Sequence, residues 1–261
     1  MFDVLSGLLL PSRCVGCPDP QGPLCARCRP ALDRCHRHRP DPEPPGLPPL
    51  AVAAAYAGPA RTAILAYKER SRRDLSRVLG AALAVAVAEV LADRLRPAAV
   101  VRLVPVPSAA SAARRRGGQH VDRLAAMAAR VLRRSGVKVG VAAVLRVRSG
   151  PSDSAELTAA ERSRAAVGKF EADLARLRGC GSEPGLWIVV DDIVTTGSTL
   201  AAACRALGRR EVAVAGAAAV AATQRWHGVF ESRYGGSSSS TVKPGGSPLI
   251  RVESSASSRR W

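Results

Sequence analysis

Trp187-Ile188-Val189-Val190-Asp191-Asp192-Ile193-Val194-Thr195-Thr196-Gly197-Ser198-Thr199-Leu200 is the stretch on which the fold turns. The bulky apolar run Trp187 to Val190 reads as a buried strand, and the Thr/Gly/Ser cluster ends it before a helical run, Leu200 to Leu207. A strand, a loop and a helix start therefore follow one another. In a parallel sheet such a loop lies beyond the carboxyl end of its strand, where ligands bind.

Residue types indicate what the loop can hold. Backbone N–H groups from Thr195 to Thr199 can face one concavity, with Gly197 allowing close approach and the helix N-terminus adding partial positive charge, which suits a phosphate. The hydroxyls of Thr195, Thr196, Ser198 and Thr199 add donors. Asp191 and Asp192 would repel a phosphate, so they call for a partner that wants acceptors: vicinal ribose hydroxyls, or a Mg²⁺ bridging sugar and diphosphate. A sugar phosphate satisfies both halves, whereas a plain strand-to-helix turn needs neither.

The acids, the two-residue spacer and Thr-Thr-Gly-Ser-Thr resemble the phosphoribosyl pyrophosphate (PRPP) loop of type I phosphoribosyltransferases. That resemblance implies that Asp191 and Asp192 hold the ribose hydroxyls and that Thr195, Thr196, Gly197, Ser198 and Thr199 hold the 5′-phosphate.

Toward the N-terminus, five of the seven cysteines fall between Cys14 and Cys35. Cys14-Val-Gly-Cys17 and Cys25-Ala-Arg-Cys28 are two CxxC knuckles with the spacing by which a tetrahedral Zn²⁺ collects four thiolates. Cys35 and His38 form a third pair, either spare or part of a second, incomplete site. Disulfides and redox pairs are the competing readings, but no export signal accompanies the cysteines, Pro11, Pro18 and Pro23 crowd the knuckles, and a thioredoxin-like motif opens a helix. Cys204 reads as a small buried residue of the helix after the loop.

The domains expected are a zinc-knuckle module over residues 1–40, a Pro-rich linker over 41–49, an α/β domain over 50–231 and a disordered basic Ser/Gly-rich tail over 232–261. Within the α/β domain, strands are expected at Ala51 to Ala57, Val100 to Val104, Val137 to Val147 and Val212 to Val220. Helices are expected at Arg61 to Tyr67, Leu75 to Leu95, Val121 to Arg134 and Leu157 to Arg164. Alternating strands and helices predict a doubly wound, mostly parallel sheet. Between Pro107 and the helix from Val121, the basic loop Arg114-Arg115-Arg116-Gly117 can close over a diphosphate, since a guanidinium matches two phosphate oxygens. Alone, it also reads as a solvated basic turn.

A net charge of +18 favours anionic partners or marks an Arg-rich solvated surface. Aromatics make up 3% of the chain, which leaves few bases-stacking side chains and a core of Ala, Val and Leu. No stretch reads as an export signal or a membrane span, so the cytoplasm is the expected compartment.

Zinc knuckles first and a PRPP-like loop last make the chain similar to the ComF family, the ComFC/GntX-like proteins, over roughly residues 1–225. Further matches are Leu65-Ala66-Tyr67-Lys68, Val104-Pro105-Val106-Pro107, Arg116-Gly117, and Glu161-Arg162 leading to Gly168-Lys169-Phe170. The resemblance implies a type I phosphoribosyltransferase fold, Mg²⁺ with PRPP, structural Zn²⁺, and Lys68 with Arg114 to Gly117 on the pyrophosphate side. It implies a nitrogenous acceptor, or a role in DNA uptake with single-stranded DNA or an uptake helicase as partner; a PRPP sensor without turnover is a third reading. Two departures concern the acceptor side: Gly118-Gln119-His120 stands where the family has Phe-Asn-Gln, and Asp153-Ser154 where a Gln is common. His120 reads as a surface residue of that loop.

Overall fold

The computed structural model describes residues 13–19, 22–94, 99–109, 114, 118–148, 168–180 and 184–223. Eight strands are described: β1 (His36–His38), β2 (Leu50–Ala55), β3 (Val100–Pro105), β4 (Val139–Val141), β5 (Leu145–Val147), β6 (Phe170–Ala172), β7 (Gly185–Val194) and β8 (Val214–Ala222). The α-helices are α1 (Gly58–Glu69), α2 (Ser76–Leu91), α3 (His120–Arg134), α4 (Leu174–Arg178) and α5 (Ser198–Gly208).

The main sheet runs β1-β2-β8-β7-β3-β4. All its neighbours pair in parallel except β1, which is antiparallel to β2. Parallel strands covered on both faces are largely apolar, and β2 and β8 are accordingly runs of Ala, Val and Leu with one Gly in β8, while β7 is apolar but for Asp191 and Asp192. One core cluster joins Leu79, Leu83 and Val87 of α2 and Leu124 and Leu132 of α3 to Val101, Leu103, Ile188 and Val190. The other joins Leu200, Ala203 and Leu207 of α5, and Leu145 and Phe170 of the β5–β6 hairpin, to Val104, Val189 and Ala219. Three layers result, as the alternation of elements predicts.

This topology sets the place for a ligand. From β3 the chain passes through α3 to β4 on one side, and from β7 it passes through α5 to β8 on the other. The adjacent ends of β3 and β7 therefore frame a crevice between connections that diverge, the usual ligand position in an open α/β sheet.

The expected strand Val137 to Val147 is two strands. Val139–Val141 pairs with β3, whereas Leu145–Val147 pairs antiparallel with Phe170–Ala172 in a separate two-stranded sheet. Between them Val144 N–H bonds the Ala142 carbonyl at 2.8 Å and turns the chain. Apolar periodicity carries no information about which partner each half takes. The long helix ends at Leu91, earlier than expected, and the expected helix Leu157 to Arg164 and the tail 232–261 lie outside the described residues.

Candidate functional site

β7 continues through Val194, so strand pairing covers both acids: Asp191 is opposite Ala219 on β8. Successive residues of a strand face opposite sides. Val190 packs with the α2–α3 core and Val189 with the α5 core, so Asp192 lies on the α2–α3 face and Asp191 on the α5 face. Both are buried, at 3% and 8% exposure.

Asp192 is held by two cationic or proton-donating groups. Lys68 Nζ, from the last turn of α1, lies 3.1 Å from Asp192 Oδ2, and His120 Nε2, at the first residue of α3, lies 2.7 Å from the same oxygen. Burial works against this charge, but the His120 hydrogen bond and the Lys68 ammonium outweigh it and hold the carboxyl down at about 2. Among the described residues Asp191 forms no ion pair; its Oδ1 accepts from the Asp192 N–H at 2.8 Å. Burial, then the charge of Asp192, push its carboxyl well above the usual carboxylate range.

His120 is thus a core residue at 4% exposure, contrary to its reading as a surface residue. It opens a helix whose buried stripe, Val121, Leu124, Ala125 and Ala128, carries it inward. The Tyr67 hydroxyl donates to its carbonyl at 2.8 Å, and Ser108 Oγ lies 3.3 Å from Nδ1. Gln119 beside it clasps Ser108 at two points: Ser108 N–H donates to Oε1 at 2.8 Å, and Nε2 donates to the Ser108 carbonyl at 3.1 Å. Lys68 therefore sits with the acids. Of the basic loop, Arg114 is exposed, while Arg115, Arg116 and Gly117 lie outside the described residues.

At the end of β7, Thr195 and Thr196 are exposed, Ser198 and Thr199 are half-buried, and Thr196 Oγ1 lies 2.9 Å from Ser198 Oγ. Gly197 precedes α5 with φ of 74° and caps it with no side chain; the Ser198 N–H donates to Thr196 Oγ1 at 3.4 Å, and the next first-turn N–H groups suit an outside acceptor. The Pro-rich segment covers the back of this glycine. A Cβ there would meet Pro40 Cγ at 3.0 Å, Leu47 Cδ2 at 3.1 Å and Pro44 Cγ at 3.3 Å. Arg205 of α5 fastens the same segment by donating to the Pro45 carbonyl at 2.7 Å. Gly197→Ala combines a left-handed backbone with a side chain that crowds Pro40, Leu47 and Pro44, and is expected to cost about 1–3 kcal/mol and to weaken anion binding at the loop. Thermal unfolding followed by circular dichroism reads the first effect, and an unchanged melting temperature would show that the strap yields freely.

The sulfurs of Cys14, Cys17, Cys25 and Cys28 all lie within 4.8 Å of one another. A tetrahedral Zn²⁺ with bonds of about 2.3 Å places its sulfurs roughly 3.8 Å apart, so these four residues could hold structural zinc. Gly16 leaves the room: a Cβ there would stand 2.8 Å from Cys28 Sγ and 3.1 Å from Pro59 Cβ. N–H groups of Gly16 and Cys25 point at Cys14 Sγ at 3.4 and 3.3 Å. Burial raises the Cys14 thiol, but these donors outweigh it and bring it down to about 6, which favours the thiolate that binds metal. Cys35 and His38 lie outside the group: His38 belongs to β1, and burial, then Glu89, raise the Cys35 thiol to about 12.

Residues 122–240 match the family described as phosphoribosyl transferase domain. The matched segment contains α3 from Asp122 onward, both acids and the Thr195–Thr199 loop, and begins after Lys68, Gln119, His120 and the four-cysteine group. Among curated proteins, none matches the chain. Among the described residues, no helix is long and apolar enough to cross a membrane.

Proposed function

From the premise that residues 122–240 form a phosphoribosyl transferase domain, a PRPP-utilising transferase in general terms, we propose a ComF-like enzyme that moves the phosphoribosyl group to a nitrogenous acceptor. The observation that carries this reading is the meeting of a buried acid pair with an uncapped, Gly-led helix N-terminus at the divergent ends of β3 and β7. A 5′-phosphate suits the N–H groups and hydroxyls of Thr195 to Thr199, and the ribose hydroxyls suit Asp191 and Asp192. The leaving diphosphate would lie toward the Val104–Ser108 loop, with Arg114 to Arg116 over it. The chain's contribution to the reaction is then to position the sugar and to neutralise charge that develops at the leaving group.

The acids form no ready-made magnesium site, because Lys68 and His120 already occupy Asp192. Magnesium fits as a companion of PRPP, held by diphosphate and water. Single-stranded DNA, an uptake helicase and a cytoplasmic setting remain part of the ComF-like proposal, on the resemblance and the charge of +18.

Calorimetry of PRPP with Mg²⁺ tests the reading. Saturable, Mg²⁺-dependent binding is expected, and the double variant Asp191→Asn, Asp192→Asn should abolish it. Unchanged affinity in that variant would sink the assignment of the acids. Binding without pyrophosphate release for any base would identify a sensor.

A further inference from the structure

We propose that Gln119–His120 is a joint that sets the ribose-side acid Asp192 at a fixed distance from the diphosphate-side loop ending at Ser108, with His120 as a positioning residue for ribose recognition. The proposal rests on the PRPP reading and goes beyond it, since residues 119 and 120 precede the matched domain segment.

The geometry converges on two consecutive residues. Gln119 fixes Ser108 through both its N–H and its carbonyl, and His120 reaches Asp192 through Nε2 and Ser108 through Nδ1. Tyr67 fixes the His120 carbonyl, and the next residue, Lys68, shares Asp192 Oδ2 with His120. The ends of α1, β3 and β7 and the start of α3 therefore meet around one imidazole. Asp192, ionised, can only accept, so Nε2 carries a hydrogen toward it; Ser108 Oγ can donate to or accept from Nδ1.

The ligand chemistry explains why such a joint matters. In PRPP the diphosphate and the ribose diol belong to adjacent carbons, so the groups that hold them must keep a set separation. Small misplacements are costly in a reaction driven by positioning. A rigid ring with nitrogens on opposed edges spans the two partners with few rotatable bonds. Gln119 thus supplies an amide for the loop and His120 a donor for the acid.

The test compares full-length wild type with His120→Ala, His120→Gln and Gln119→Ala by calorimetry against PRPP, ribose 5-phosphate and inorganic pyrophosphate, with melting temperatures alongside. His120→Ala is expected to lose about tenfold or more in affinity for PRPP and ribose 5-phosphate, the scale of one charge-assisted hydrogen bond. Pyrophosphate affinity should change less than about twofold. His120→Gln should recover most of the loss, because its amide can donate to Asp192. Gln119→Ala should weaken PRPP more than ribose 5-phosphate. Equal losses for all three ligands without rescue by glutamine, or wild-type affinities in His120→Ala, overturn the joint. If His120→Ala does not fold, a wild-type ligand profile in Gln119→Ala overturns the joint. Failure of wild type to bind PRPP overturns the functional reading and the joint together, whereas the variant outcomes overturn the joint alone.

Discussion

Removing metal from the four-cysteine group is expected to lower the melting temperature of the whole chain by at least about 10 °C, a loss of several kcal/mol for a domain of this size. The reason is that the module shares its core with the sheet domain. Cys14, Leu24, Cys25, Cys28 and Leu32 belong to the same buried cluster as Ala60, Ile64, Leu79 and Leu83. Gly16 sits against Pro59 at the start of α1, Arg72 donates to the Arg13 carbonyl at 3.2 Å, and the Arg34 N–H continues the pairing onto β2 by donating to Ala53 at 3.0 Å. Without a cation, the four sulfurs cannot all be thiolates: burial, then the neighbouring sulfurs, push Cys28 up to about 12. Zinc would relieve that conflict and bind the folded state selectively, stabilising it by mass action. Zinc release by a chelator, followed by a chromogenic zinc indicator and calorimetric melting on one sample, reads the effect. Cys25→Ser should reproduce it. Zinc leaving with no change in melting would make the group a spectator.

The same observations show which parts of this molecule are legible in one sequence. Strand β7, helix α5 and the loop between them stand out because apolar runs, a glycine and hydroxyls each have a local physical meaning. The two knuckles are legible because metal geometry dictates their spacing, and the four sulfurs do converge. What is lost is long-range partnership. His120 and Asp192 are 72 residues apart, and nothing local to a single histidine at a helix start says that a buried acid awaits it. Cys35 and His38 have ligand spacing, yet the chain between them enters β1 and pairs with β2. The proline segment reads as a spacer by composition, whereas Pro40, Pro44 and Leu47 pack on Gly197. Propensity describes how a segment can fold, and tertiary contact decides what it touches.

Adjacent acids on one strand are expected to have opposite effects on stability when neutralised. Asp192→Asn should destabilise the protein by about 3–5 kcal/mol at neutral pH, because it strips the buried partner from Lys68 and His120. Asp191→Asn should stabilise it, because it removes a carboxylate that the fold buries beside another negative charge. The signs follow from proton linkage. The Asp192 carboxyl is lowered from 3.8 to about 2, so the unfolded chain binds more protons between those values. Its contribution is full above pH 3.8 and is lost as the pH falls through about 2. Asp191 is raised well above 3.8, so the native state binds the extra proton there, and its penalty is absent below pH 3.8 and grows as the pH rises. Urea midpoints at neutral pH and in acid check both curves: the Asp192→Asn deficit should shrink toward pH 2, and the Asp191→Asn gain should vanish below pH 3.8. Equal destabilisation by the two variants would show that the acids act as one structural pair. A stabilising Asp191→Asn that also lost PRPP would mean that the fold tolerates a buried, poorly compensated acid at the end of β7 for the sake of its ligand, as strain at binding sites generally requires.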